Sequence, residues 1–215
     1  MGRPKDPNLR ARIITEAEHL LHLRGYHHTS MDEIAKSCSM TKANLFHHFK
    51  SKEDLALAVL DEKMADYRKL RVDPLCAEGD PAVAVTRMFE DCAKLFGGNG
   101  CKAGCFVGNM ALEMSDLNEE FRKRAGKFFQ DWTEGMARCL TRAREAGLFG
   151  PTLDPRSTAE TILSMYEGAI MLARTHRDAG VLGRVGKIAR GILEQHRNPE
   201  KRRKITMGPK TPCGC

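Results

Sequence analysis

Apolar residues recur along almost the whole chain at spacings of three and four, and no segment shows sustained alternation bounded by turn residues. The expected fold class is therefore all-α. The first stripe, Leu9, Ile13, Ile14, Ala17, Leu20 and Leu21, predicts a helix over 7–24 that Gly25 ends as a glycine just past the last turn. Two short helices follow. Thr29 or Ser30 can cap one running to about Ser37, with Glu33 three residues after Ser30 completing a capping box. After a turn over 38–40, Thr41 caps the second, TKANLFHHF, which buries Leu45 and Phe49 and turns its remaining side chains outward. Ser51 caps a longer helix reaching about Leu70.

From Pro81 the pattern changes to longer helices around a larger core, over 81–96, 105–114, 118–146, 155–177 and 182–196, with Gly147 and Pro151 stopping the third. The stretch 197–215 has no apolar periodicity and is expected to be disordered. The chain thus divides into a three-helix amino-terminal module over 1–55, a larger helical body over 56–196 and a tail.

Charge adds a partner to this picture. The formal net charge is +7, and the positive excess sits at the two ends, 1–55 and 197–215, while the stretch between them balances. Six of the eight histidines (His19, His22, His27, His28, His47, His48) also lie in the first module. A polyanion partner fits that end, and Lys201 to Lys204 would add salt-sensitive phosphate attraction at the other. With 41% hydrophobic and 29% charged residues the composition is that of a globular protein. No apolar run is long enough to span a bilayer and the first residues lack a signal-peptide core, so the expected location is cytoplasmic, with no membrane partner. In that reducing compartment most of the eight cysteines are expected to be free thiols; no CxxC pair occurs.

Two short helices joined by a tight turn, the second with a polar outer face, are the recipe for a helix-turn-helix that lays its second helix in a DNA major groove; the alternative is a capped three-helix module whose Lys-His-His surface is solvated and idle. Thr41, Lys42 and Asn44 suit phosphates or base edges, and an Asn amide pairs bidentately with adenine. Lys52, at the start of the next helix, suits a phosphate, as do His47 and His48. Thr29 and Ser30 can clamp the backbone on the other flank, and Arg3, in Gly2-Arg3-Pro4, suits a narrow minor groove. The segment GYHHTSMDEIAKSCSMTKANLFHHFKSKEDL resembles the DNA-binding domain of the TetR family. It departs from the usual pattern at Ser39 and Ala43, both commonly Gly, and at Phe46, commonly Tyr. The resemblance implies that Ala43 and Phe46 lie in the DNA-contacting face, Phe46 without a phosphate-binding hydroxyl.

The same resemblance implies a ligand-sensing and dimerisation body. The motifs AGCFVGNMALEMSDLNEEFR and YEGAIMLAR are similar to a subfamily responding to reactive electrophiles or acrylate-like small acids, in which a cysteine after glycine is important; Cys105 matches it. A thiol at a helix start feels the positive end of the macrodipole, which predicts a lowered pKa. The alternative is that Cys105, amid Phe106, Val107 and Met110, is a small buried hydrophobe. Arg174 stands where related regulators tend to carry lysine and can bind a carboxylate bidentately. Asn109, Glu113, Trp132, Tyr166 and Met171 are further pocket candidates, or plain core.

The resulting expectation is a homodimeric repressor released from a palindromic operator by a small-molecule effector, electrophilic or acidic, or by modification of Cys105. No cofactor, resident metal or catalytic residue is expected. The rivals are a metal-responsive regulator using Cys101, Cys105 or the tail residues Cys213 and Cys215, and an enzyme with Cys105 as nucleophile, for which a nearby His is missing. Ala159, Ile162, Ile170 and Ala173, then Val185, Ile188, Ala189 and Ile192, with Gly168 and Gly191, suit either a four-helix bundle with a second copy or intrachain packing. Two copies would set two reading helices about 34 Å apart.

Overall fold

The computed structural model describes residues 8–77 and 79–199; Arg3, Lys201 to Lys204, Cys213 and Cys215 lie outside them. Among the described residues the chain forms nine α-helices and no strand. Their bounds are α1 (Leu9–Arg24), α2 (Met31–Ser37), α3 (Lys42–His48), α4 (Lys52–Tyr67), α5 (Pro81–Gly98), α6 (Phe106–Met114), α7 (Glu119–Glu145), α8 (Pro155–His176) and α9 (Gly180–Gln195). After α4 the helix widens into a π-turn over Arg68–Val72 and then tightens into a 3₁₀ turn over Asp73–Cys76.

Local chemistry explains the boundaries. Ser30 and Glu33 form the reciprocal capping box of α2, Thr41 accepts the N–H of Asn44, and Ser51 accepts that of Asp54. Ser39 takes the left-handed conformation, φ 54°, that lets the chain reverse between α2 and α3, so serine performs the turn usually given to glycine at about 1 kcal/mol. Asp80, Asn118 and Asp154 cap α5, α7 and α8 in the same manner.

Leu21, Ile34, Leu45, Phe49 and Leu55 close the amino-terminal module over one small core. Helix α4 starts within that core and runs into the body, so the division expected at residue 55 falls inside a continuous helix. In the body α5 packs on α9, α7 on α8 and α8 on α9, around Phe89, Phe106, Phe121, Met110 and Trp132. Gly186 permits the α5–α9 approach: a Cβ there would lie 2.6 Å from that of Phe89. Ala159, Ile162, Ile170, Ala173 and Ala189 are consumed by this intrachain packing, whereas Leu172 and Ile188 stay exposed and Gly168, Gly183 and Gly191 face open space. No described helix is long and apolar enough to cross a membrane.

Candidate functional site

Helix α3 has the division of faces that groove reading requires. Thr41, Lys42, Ala43, Asn44, Phe46 and His47 are exposed, His48 is half-buried, and Leu45 and Phe49 are buried beneath them. Lys42 pairs with exposed Asp32 across 2.8 Å, a contact that a phosphate can replace. Ser30 is exposed at the start of α2 while its hydroxyl serves the cap.

Two expected backbone clamps are spent elsewhere. Thr29 is 1% exposed and its hydroxyl donates to the Gly25 carbonyl at 2.8 Å, so it closes the turn after α1 from within. Lys52 donates to the carbonyls of Tyr26 and Thr29 at 3.0 and 3.1 Å and lies 4.2 Å over the Tyr26 ring. Its ammonium is a pin for that turn, which satisfies the charge without a phosphate.

The body site is built around Cys105, which is 7% exposed and caps α6 with its sulfur, accepting the N–H of Gly108 at 3.4 Å. The lowered pKa expected from the macrodipole is reversed. Burial pushes the Cys105 thiol well up and the neighbouring Glu167 carboxylate adds to this, outweighing the N–H groups of Gly108 and Val107. Burial likewise pushes Glu167 up to about 7, opposed by its hydrogen bond with Cys105.

Cys105 borders two spaces. One is a groove of about 610 Å³ lined also by Asn109, Leu112, Glu167, Met171 and Arg174; the other is a cavity of about 30 Å³ shared with Tyr67, Cys92, Trp132 and Tyr166. Arg174 donates to Asn109 Oδ1 at 3.3 Å, and Asn109 donates to the Ala103 carbonyl at 2.6 Å. Trp132 also borders a separate space of about 730 Å³ between α4 and α7, lined by Arg68, Lys123, Lys127 and Arg138. Six of the seven expected body residues thus border one or other of the two spaces that meet at Cys105: Asn109, Met171 and Arg174 the groove, Trp132 and Tyr166 the cavity, and Cys105 both.

Glu113 is placed elsewhere. Its carboxylate accepts the N–H groups of Tyr26 and His27, both at 2.8 Å, and tethers α6 to the turn after α1. Gly25, φ 83°, makes room: a Cβ there would meet Glu113 Oε2 at 2.8 Å. A second tether, absent from the sequence reading, runs from His22 on α1 to the Gly104 carbonyl at 3.0 Å. It ends on a strained loop in which Cys101 and Ala103 hold φ of 55° and 70°. Arg177 donates to the Cys101 carbonyl of that loop at 2.8 Å. Glu167 was also missed, although it is the acidic residue inside the apolar stripe of Ile162, Leu163, Tyr166, Ala169 and Ile170.

Cys38, Cys92, Cys101 and Cys105 are free and buried, whereas Cys139 is disulfide-bonded. Among the described residues no group of three or more His, Cys, Asp or Glu side chains is placed to hold a metal, so Cys101 and Cys105 lack a third ligand there.

An exposed reading helix on a small module, tethered to a helical body with internal cavities, defines a DNA-binding regulator. Residues 13–59 match the family described as bacterial regulatory proteins, tetR family, and residues 81–188 match the carboxy-terminal domain described as transcriptional regulator LmrA/YxaF-like. The chain is 30% identical to the transcriptional regulator AcuR of Cereibacter sphaeroides, over 80% of this chain and 81% of that protein. The chain belongs to the TetR family of transcriptional regulators. A TetR regulator from Chloroflexus aurantiacus superposes with a TM-score of 0.79 at 26% identity, covering 88% of this chain and 96% of that one. AibR, solved with isovaleryl coenzyme A and operator DNA, superposes at 0.62 with 25% identity, covering 81% and 96%. Regulators of this family bind operator DNA and small-molecule effectors and are typically dimers.

Proposed function

We propose that the protein is a homodimeric repressor that holds a palindromic operator through α3 and releases it when a small electrophile or small acid occupies the Cys105 site or modifies the thiol. The observation carrying this reading is the pair of tethers between that site and the reading module. His22 grips the Gly104 carbonyl just before α6, and Glu113 near the other end of α6 grips the turn after α1. Any group that displaces the Gly104–Cys105 loop also moves α1, against which the reading module is assembled, and two states differing in operator affinity follow.

In this reading 1–55 read DNA through Ser30, Thr41, Lys42, Ala43, Asn44, Phe46, His47 and His48, and 56–196 sense and dimerise. The second copy is assigned to the face of α8 and α9 that carries Leu172, Ile188 and the open glycines. Arg174 beside Asn109 supplies a site for a carboxylate. The action is binding and release, with no turnover.

The test is a gel shift on the DNA flanking the gene, with and without an electrophile, comparing wild type with Cys105→Ser. Wild type is expected to release while the variant stays bound. Equal release of both would reject thiol modification and leave noncovalent occupancy of the same groove, which Arg174→Ala then tests with a small carboxylic acid.

A further inference from the structure

The thiol at Cys105 has backbone donors and a carboxylate for neighbours. Its sulfur accepts the Gly108 N–H at 3.4 Å and interacts with the Val107 N–H, and the Glu167 side chain lines the same groove beside it. With the lone pair committed to the helix N–H, the S–H is the group that faces the carboxylate. Glycine at 108 is what lets the carboxylate in: a Cβ there would stand 2.8 Å from Glu167 Oε2 and 3.6 Å from Cys105 Sγ. The other carboxylate oxygen, Glu167 Oε1, is buried without a hydrogen-bond partner. A buried carboxylate kept for stability is held by a cation or by several N–H groups. This one has a thiol for a neighbour and no partner on Oε1, the arrangement of a group poised to take a proton.

A second observation points to the ligand. Trp132 is 1% exposed, its indole N–H has no acceptor, and it borders the same small cavity as Cys105. An unpaired buried donor in a cavity that Cys105 also borders suits a molecule that carries an acceptor oxygen, and Cys105 borders in addition the groove lined by Glu167 and exposed Met171.

We propose that Glu167 is the proton acceptor that enables Cys105 to add to α,β-unsaturated carbonyl compounds. The proposal rests on the reading of Cys105 as the sensor and gives that site its chemistry. As the sulfur lone pair forms the bond to the β-carbon, the S–H bond breaks and its proton passes to the Glu167 carboxylate. The C=C π pair moves to the α-carbon and carbonyl oxygen as an enolate. The Glu167 carboxyl then returns the proton to the α-carbon, so S–H has added across the double bond and the carboxylate is regenerated. No oxidant or metal enters the balance. Burial raises the energy of a free thiolate, and transferring the proton during attack avoids forming one.

The test is the rate of adduct formation at Cys105 with methyl vinyl ketone, followed by mass spectrometry of the Cys105 peptide across pH 5.5 to 9. The wild-type rate is expected to rise with ionisation of Glu167 and then level off near neutrality. Glu167→Gln is expected to react about a hundredfold more slowly at pH 7.5 and to keep accelerating up to pH 9. A purely electrostatic or structural role predicts the opposite sign, because removing a negative charge beside the sulfur eases thiolate formation. A variant as fast as wild type or faster overturns the proposal. A wild-type rate that climbs tenfold per pH unit through pH 9 does so too, with no variant needed. Gel shifts of the purified wild-type adduct separate this from the sensing reading. Glu167-dependent addition that leaves the operator bound sinks the sensor and keeps the proton acceptor; release by an adduct whose formation ignores Glu167 does the reverse.

Discussion

On α3 the groups expected to read DNA stand on the exposed face of a seven-residue helix, whereas the groups around Cys105 come from α1, α6, α7 and α8 and meet where water is scarce. The first arrangement separates function from stability. Asn44 and Lys42 project from a helix that is anchored by other residues, so they can change without disturbing what holds them. The second cannot be separated in this way, because Glu167 and Trp132 are at once part of the reactive site and part of the packing between α6, α7 and α8.

Leu45 is fully buried beneath the reading face. Leu45→Ala is expected to cost about 2–5 kcal/mol of stability and to abolish operator binding with it, measured by urea denaturation and gel shift. A variant of that instability whose folded fraction still binds at wild-type affinity would show that the buried side does not position the exposed one.

The next effect belongs to the buried site. The folded chain holds the Glu167 proton more tightly than the unfolded chain, since burial takes its pKa from 4.5 to about 7. Its contribution to stability is therefore complete below the unfolded value and is lost as pH rises through about 7, a loss of at most about 3 kcal/mol. Urea midpoints at pH 5 and pH 8 should show wild type weakening at the higher pH and Glu167→Gln changing much less. Parallel curves for the two proteins would mean that the carboxylate is effectively solvated, and the contrast between the two regions would collapse at its central residue.

Asn44→Ala is expected to reverse the pattern, leaving stability within about 0.5 kcal/mol of wild type while costing about 1–3 kcal/mol of operator affinity, a loss of about fivefold to 150-fold. Lys42→Ala should weaken all sequences alike and lower the salt dependence by about one phosphate contact.

The same contrast explains what could be read in the chain. Most helix bounds, to within two or three residues, and the capping box of Ser30 and Glu33 follow from neighbours close in the chain. The exposed face of α3 follows from helical periodicity alone. Thr29 and Lys52 have suitable chemistry and position for phosphates, but the turn after α1 needed a buried hydroxyl and a cation to satisfy its carbonyls, a demand that appears only once the turn is folded. Cys105 sits at a helix start as its sequence implies, yet its thiol is pushed up first by burial that no local pattern reports and then by Glu167, sixty-two residues away in the chain. Glu113 has the composition of a ligand-binding residue and the position of a tether, and only its contacts with Tyr26 and His27 distinguish the two.

The smallest effect tests the border between cap and contact. Ser30 accepts the Glu33 N–H at 3.2 Å while its exposed hydroxyl stays near the flank expected to meet the DNA backbone. Ser30→Ala should cost about 1 kcal/mol through the cap, and because loosening α2 loosens the turn to α3, operator affinity should fall with it. Ser30→Gly removes the same hydroxyl but preserves most of the cap's backbone preference, at only a few tenths of a kcal/mol. If the hydroxyl also meets a phosphate, the two variants should lose similar affinity despite their different stabilities, and the salt dependence of binding should be unchanged in both because the lost contact is uncharged. If affinity instead follows stability from Gly to Ala, capping is the whole role of Ser30, and the division between residues that hold the reading helix and residues that touch the DNA falls between α2 and α3.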